Sequence, residues 1–287
     1  MEGPASADLS GTGVKRVRYR KGTIVLDDLR DYPLLRFVLH SGFVTADQLY
    51  AFMKLEHRTS SRNEFGNRVR RLLEHQLLVR REIPTISRGV VYSLTRAGES
   101  EMIGRGEFFA GATDKVEASS GHLQHALELN EIHLALKQSG MLVRWTPGSD
   151  IRSRNEFTNT GYAKDYDALV DVSMDGVDCR FALEYERTPK AKKRYVEIHR
   201  RIETESELSQ FLYLTPNQDL QAFLLRVFGD CRRAVHFGLR KDFLCETLEL
   251  SVRNNRTPLS MSFRTVLAAT TPSFGGRATT RAQKSLF

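Results

Sequence analysis

The chain has 287 residues and carries 43 Lys+Arg against 35 Asp+Glu, a net charge of +8. That length supports two modest hydrophobic cores plus tails. No apolar run approaches a membrane span and the N-terminus lacks a signal-peptide core, so a soluble cytoplasmic protein with no membrane partner is expected. Cys179, Cys231 and Cys245 are scattered without ligand spacing, which argues against a disulfide framework or a structural zinc and reads as buried thiols.

The positive charge is uneven. Lys15, Arg16, Arg18, Arg20 and Lys21 fall in a polar stretch, so residues 1–27 read as a flexible basic arm. Between residues 58 and 81, seven arginines face two glutamates, a local balance of 7 − 2 = +5. Such clustering calls for a polyanionic partner.

A first domain is expected over 28–105. Residues 33–40 have a short helical pattern that stops at Ser41-Gly42, and Thr45 caps a second helix over 46–53. A third helix runs from Ser60/Ser61 to about Gln76. Its Phe65, Val69, Leu72, Leu73 and Leu77 recur at the 3.6-residue period, placing Asn63, Asn67, Arg70, Arg71 and Glu74 on the opposite face. Residues 77–83 and 90–95 then read as two strands about a turn at 84–89. Three helices and a hairpin make a winged helix-turn-helix, and the phrase Val91-Tyr92-Ser93-Leu94-Thr95-Arg96-Ala97-Gly98 resembles the second wing strand of bacterial winged-helix regulators. Arg can fork onto guanine and Asn onto adenine in the major groove, whereas flanking cations only neutralise phosphates. Asn63, Asn67 and Arg70 are therefore expected at base edges, with Arg62, Arg71 and wing residue Arg88 on the backbone of double-stranded DNA.

Residues 106–120 read as a linker and 121–250 as an α/β domain. The helix over 122–136 is apolar on two faces yet carries His122, His125, His133, Asn130 and Glu131. Polar groups on a buried helix need partners, and each histidine alone fits a hydrogen-bonded structural role. Residues 141–145 read as a strand and 146–164 as a polar connection. Residues 165–174 and 177–186 are apolar strands joined by the hairpin turn Asp175-Gly176. Counting back from that turn sets Asp167 beside Glu184 or Glu186, and the last two share one strand face. Clustered carboxylates repel unless a cation neutralises them, which makes Mg²⁺ a candidate ligand. A helix over 190–205 opens with Lys190, Lys192, Lys193 and Arg194 against its own dipole, a local cost that a phosphate would relieve. Strands at 210–215 and 233–239 flank a helix at 217–228, so these later strands run parallel. Residues 251–287 are expected to be an extension, mobile from about 268.

Acids on paired strands resemble the restriction-endonuclease-like, PD-(D/E)XK-like nuclease fold, in which an acid on one strand and acid-x-Lys on its hairpin partner bind Mg²⁺ and orient water. Here Glu186 stands at the lysine position. The outline His125 to Glu131, the Asp167-Ala168 strand and the run Leu183-Glu184-Tyr185-Glu186-Arg187-Thr188 resemble the replication-relaxation proteins of plasmids and integrative mobile elements. That resemblance, over roughly 30–240, implies a winged helix followed by a nuclease-like domain and a part in replication, copy control or transfer. It also implies that Asp167 and Glu184 are the two acidic positions of the nuclease motif.

Three function classes follow. A DNA-binding protein with a non-catalytic nuclease-like body is placed ahead, because the lysine position is lost and Glu184 and Glu186 can pair with Arg187, Lys190 or His125. A Mg²⁺-dependent endonuclease would use Asp167, Glu184 and Glu186, with Glu131 as a further candidate metal ligand and Lys190 or Lys192 reaching back to position water. A scaffold recruiting a replication or conjugation partner is the third. No cofactor is implied unless the nuclease is active, and a homodimer on a palindromic site is left open.

Overall fold

The computed structural model describes residues 24–83, 89–107, 120–257 and 259–270. Residues 1–23 of the basic arm, Arg88 with the rest of the turn at 84–88, residues 108–119 of the expected linker and the tail from 271 onward lie outside the described residues.

The first part begins with α1 (Asp31–Ser41), a two-residue strand β1 (Val44–Thr45) that periodicity does not reveal, and α2 (Ala46–Leu55). Thr45 and Gln48 form a reciprocal capping box at the start of α2. α3 (Arg62–Glu74) starts where Ser61 Oγ accepts the Glu64 amide, and it turns Phe65, Val69 and Leu72 inward. The hairpin β2 (Leu78–Glu82) and β3 (Val90–Leu94) joins β1 in a three-stranded antiparallel sheet of order β1-β3-β2, and α4 (Arg96–Gly104) follows. Leu34, Leu35, Val38, Leu49, Met53 and Leu72 are fully shielded in this core.

The second part is built on a seven-stranded mixed sheet of order β10-β9-β8-β7-β6-β5-β4. Its elements in chain order are α5 (Ser120–Gln138), β4 (Leu142–Pro147), α6 (Gly148–Phe157), β5 (Ala168–Met174) and β6 (Val177–Tyr185). Then come α7 (Lys192–Thr204), β7 (Phe211–Thr215), α8 (Gln218–Val227), β8 (His236–Leu239), α9 (Arg240–Glu246) and a 3₁₀ turn, Thr247–Glu249. β9 (Ser251–Asn254), β10 (Ser260–Ser262) and α10 (Phe263–Thr270) complete the chain. β4, β5 and β6 are antiparallel, β6, β7 and β8 parallel, and β8, β9 and β10 antiparallel again. Asp175 and Gly176, both at positive φ, make the tight β5–β6 turn.

The sheet is covered on both faces, which is why the second half of β6 is buried without alternation. α7 and α8 pack Tyr195, Ile198, Ile202 and Leu224 on Leu169, Ala182, Phe211 and Tyr213. On the other face, α5, α9 and α10 pack Ile132, Leu136, Phe243 and Phe263 on Val170, Phe181, Leu183 and Leu214.

Two expectations are corrected here. The polar connection over 146–164 contains α6, a helix with weak amphipathicity whose Ile151 alone is fully buried. The stretch from 251 to 270 is no extension: β9 and β10 lengthen the sheet, and Val252, Phe263, Val266 and Leu267 join its core. Of the three free cysteines only Cys231 is buried; Cys245 is exposed.

α5 belongs to both parts. Asn130 Nδ2 donates to the Phe43 carbonyl at 2.8 Å, Gln48 Nε2 donates to the Leu127 carbonyl at 2.8 Å, and Leu123 and Leu127 pack on Phe43 and Val91. His133 stacks on Trp145 at 4.4 Å beside Phe37 and Phe52, and burial holds its imidazole down to about 3. Asn130 thus finds the partners that a polar group on this helix needs, while among the described residues His133 is held by ring stacking in place of a hydrogen bond. Among the described residues no helix is long and apolar enough to cross a membrane.

Candidate active site and nucleic-acid face

β5 and β6 pair with Ala168 opposite Leu183, so one step further the register carries Asp167 to Glu184. On its other side Glu184 is in register with Tyr213 of β7. Alternation along β6 sends Glu184 and Glu186 to the α7 face of the sheet, where they are 6% and 4% exposed. A cleft of about 200 Å³ opens between this end of the sheet and α7, lined by Lys164, Asp167, Glu184 and Lys190 near the strands and by Arg194 and Arg201 along the helix.

Each carboxylate in the cleft has a named partner, as buried charge requires. Asp167 Oδ2 accepts the Tyr185 amide at 2.8 Å and lies 3.2 Å from His125 Nε2, which also sits 3.1 Å from the Tyr185 carbonyl. Lys164 Nζ bonds Glu184 Oε1, and Lys190 Nζ bonds Glu186 Oε2. Burial is the largest influence on Asp167 and opposes its charge, but the His125 hydrogen bond, the charges of His125 and Lys164 and the Tyr185 amide together outweigh it and lower the carboxyl. The same bond raises His125 against its own burial. Glu184 goes the other way: burial pushes it up to about 7, with Asp167 adding to the rise and Lys164 resisting it. Two adjacent acids thus hold protons differently, one lowered by its cationic and hydrogen-bonding partners and one raised by burial. Beneath them the Tyr213 hydroxyl is buried with no hydrogen-bond partner among the described residues.

The loop that carries Lys164 is held from both ends. Asn155 of α6 accepts the Tyr162 amide at 2.6 Å and donates to Asp165 at 2.7 Å. Glu205, just past α7, accepts the Ala163 amide at 2.9 Å and the Tyr166 hydroxyl at 3.1 Å. Gly148 donates to the Asp167 carbonyl at 3.0 Å, and a Cβ there would stand 2.9 Å from the Tyr166 carbonyl oxygen, so α6 can start here only with glycine.

The structure brings Asp167, Glu184, Glu186 and Lys190 together, but two expected contributors are elsewhere. Glu131 turns its carboxylate to Arg240 and does not line the cleft. Lys192 is exposed in the first turn of α7 and does not line it either. Residue periodicity missed Lys164, which precedes its strand in a stretch without a pattern. Its one sequence signal is a position three residues before Asp167.

Two hard carboxylate donors with free oxygens suit Mg²⁺, which is commonly held by one or two carboxylates and completes its shell with water and substrate phosphate. No group of three or more His, Cys, Asp or Glu among the described residues forms an all-protein cage.

On α3, Asn63, Asn67 and Arg70 are exposed on the side away from the core, with Arg70 Nη2 donating to Asn67 Oδ1. Arg62 lies 4.1 Å above the Tyr50 ring and pairs with Asp47 at 2.8 Å, leaving its side chain 57% exposed. Arg71 departs from the expectation of a free phosphate contact. It bonds the fully buried Asp31, whose other oxygen takes Arg68 at 2.7 Å.

The architecture defines a two-part α/β protein whose large mixed sheet ends in a cleft of paired carboxylates and lysines. A family model described as replication-relaxation matches residues 35–203, more than half of the chain, and the chain belongs to that family. No curated protein matches it. Among solved structures it is similar to the restriction endonuclease FokI bound to DNA, at 12% identity over 75% of this chain and 43% of that chain, TM-score 0.28. The structure of FokI itself is similar at 13% identity over 76% and 42%, TM-score 0.28. The chain spans less than half the length of these neighbours, and a likeness that slight carries no weight for its activity.

Proposed function

We propose that this replication-relaxation protein binds duplex DNA through its first part, acting as a winged helix in a replication-related role. The observation that carries this reading is α3. Its buried stripe is fixed by Phe65, Val69 and Leu72, and its outward face offers Asn63, Asn67 and Arg70, the side chains that fork onto adenine and guanine edges. The order helix, strand, helix, helix, hairpin, with β1 closing a three-stranded sheet, supports the winged-helix assignment. Arg62 supplies phosphate contact at the start of α3, and Arg71 together with Arg68 clamps α3 to α1 through Asp31.

The test is fluorescence polarisation on duplex DNA across a salt series with the triple variant Asn63→Ala/Asn67→Ala/Arg70→Ala. Loss of preference for a selected site over random duplex is expected. A variant that keeps wild-type preference and salt slope refutes the reading.

A second reading, metal-dependent hydrolysis of DNA, is favoured by a separate observation: two lysines enter the cleft that holds Asp167 and Glu184, although position 186 is an acid. Asp167 and Glu184 would hold Mg²⁺, which supplies a polarised phosphoryl oxygen and an activated water. The chain's own groups do the rest. His125 and the Tyr185 amide fix the Asp167 carboxylate, Lys190 neutralises Glu186, and Arg194, which lines the same cleft, would offer a charge to a flanking phosphate. Supercoiled plasmid incubated with Mg²⁺ or Mn²⁺ should be nicked by the wild type and spared by Glu184→Gln. Absence of metal-dependent nicking refutes this second reading while leaving the first intact.

A further inference from the structure

Nuclease centres of the type read here place a lysine two residues after the second acid, and in this chain that position is Glu186. Two lysines compete for the vacated role. Lys190 is bound to Glu186, four residues back in the loop between β6 and α7, and remains 42% exposed. Lys164 is bound to Glu184 itself, the acid that faces Asp167, and is 12% exposed. Its position is also prepared: Asn155 and Glu205 hold the loop on either side of it, and the Tyr166 ring lies 5.0 Å from its ammonium. A long, flexible side chain becomes useful at a reacting centre when its neighbours have already been ordered by the fold.

We propose that Lys164 is the lysine of this centre, entering from the loop before β5 instead of from β6, and that Lys190 serves only to neutralise Glu186. The inference rests on the hydrolytic reading of the cleft. Were Glu184 to hold a divalent cation, Lys164 would be released from that carboxylate and its ammonium would be available to the attacking water and the scissile phosphate. In that hydrolysis a water oxygen bonds to phosphorus while one P–O ester bond breaks. The water gives up one proton and the leaving alkoxide takes up one, so no further reactant is needed. The ammonium contributes fixed positive charge where the phosphate gains negative charge.

This arrangement makes two readouts move in opposite directions. A lysine that must leave Glu184 competes with the metal, so its removal strengthens metal binding; a lysine that stabilises the reacting phosphate slows hydrolysis when removed. The experiment is Mn²⁺ titration calorimetry and plasmid nicking on the full chain, comparing wild type with Lys164→Gln, Lys164→Arg and Lys190→Gln. For Lys164→Gln, nicking should fall about a hundredfold or more while Mn²⁺ affinity rises roughly threefold or more. Lys164→Arg should recover part of the activity, and Lys190→Gln should lower stability to urea by leaving Glu186 unpaired without reproducing the roughly hundredfold loss of nicking, whereas a loss of about a hundredfold in Lys190→Gln overturns the assignment. Wild-type nicking that persists in Lys164→Gln overturns the inference and leaves the hydrolytic reading standing. Weaker Mn²⁺ binding in Lys164→Gln also overturns it, since that would mark a structural prop. A wild type that never nicks overturns the hydrolytic reading and the lysine assignment with it.

Discussion

The outward face of α3 and the cleft at the end of β5 and β6 use the same kinds of side chain under opposite conditions. On α3 the amides and Arg70 lie in water, where charge is already solvated and side chains are free to meet a partner. In the cleft, Glu184 and Glu186 are buried and each is held by a lysine, so their charge depends on the fold. The difference teaches that exposed cations cost the protein little and are available for recognition, whereas buried ones are committed until something replaces their partner.

The sharpest break of this comparison is in stability. Glu184→Ala strands Lys164 in the cleft, so urea unfolding should show a loss of about 3–5 kcal/mol, against less than about 0.5 kcal/mol for Arg70→Ala. Equal small losses would mean that the cleft is as wet as the α3 face. Asp31→Ala tests a buried ion cluster of the first part. By freeing Arg68 and Arg71 it should cost about 2–4 kcal/mol, discounted because Arg71 is 42% exposed.

Acid offers a third comparison, on the helix shared by both parts. His133 is neutral in the folded chain down to about pH 3, while the unfolded chain takes up a proton near pH 6.5. Its folded value is lowered, so stability is full above pH 6.5 and falls as the pH drops toward 3. Between pH 7 and 4.5 this residue should remove about 2–3 kcal/mol, and His133→Leu should abolish that share of the acid sensitivity in paired denaturation curves. A variant with unchanged acid slope would assign the sensitivity elsewhere.

The smallest effects separate recognition from scaffolding within α3. Arg70→Ala should weaken selected-duplex binding by about 1–3 kcal/mol, and Arg62→Ala should lower the salt slope by about one without changing selectivity. Arg71→Ala should appear first in unfolding experiments, because its guanidinium is spent on Asp31. If affinity drops with stability untouched, Arg71 belongs with the recognition face after all.

Much of this organisation is legible along the chain. Period 3.6 marks α3, two apolar runs about the Asp175-Gly176 turn mark β5 and β6, and counting back from that turn sets Asp167 beside Glu184. Those inferences succeed because they depend on local geometry and on burial of one face. Helix α6 escapes them because a short helix with one buried residue has almost no apolar period, and β9 and β10 escape because short polar strands gain their place only by pairing, β9 with β8 and β10 with β9.

Local pattern thus specifies α1, α2, α3, α5, α7 and α8, the β5–β6 hairpin and the facing acids. Only the tertiary structure decided which charges meet: Arg71 with Asp31 across 40 residues, Glu131 with Arg240 across 109, and Lys164 with Glu184 across 20. Ion pairs of that kind follow the path of the chain through space, and a low-dielectric interior makes their choice binding in a way that no local period encodes.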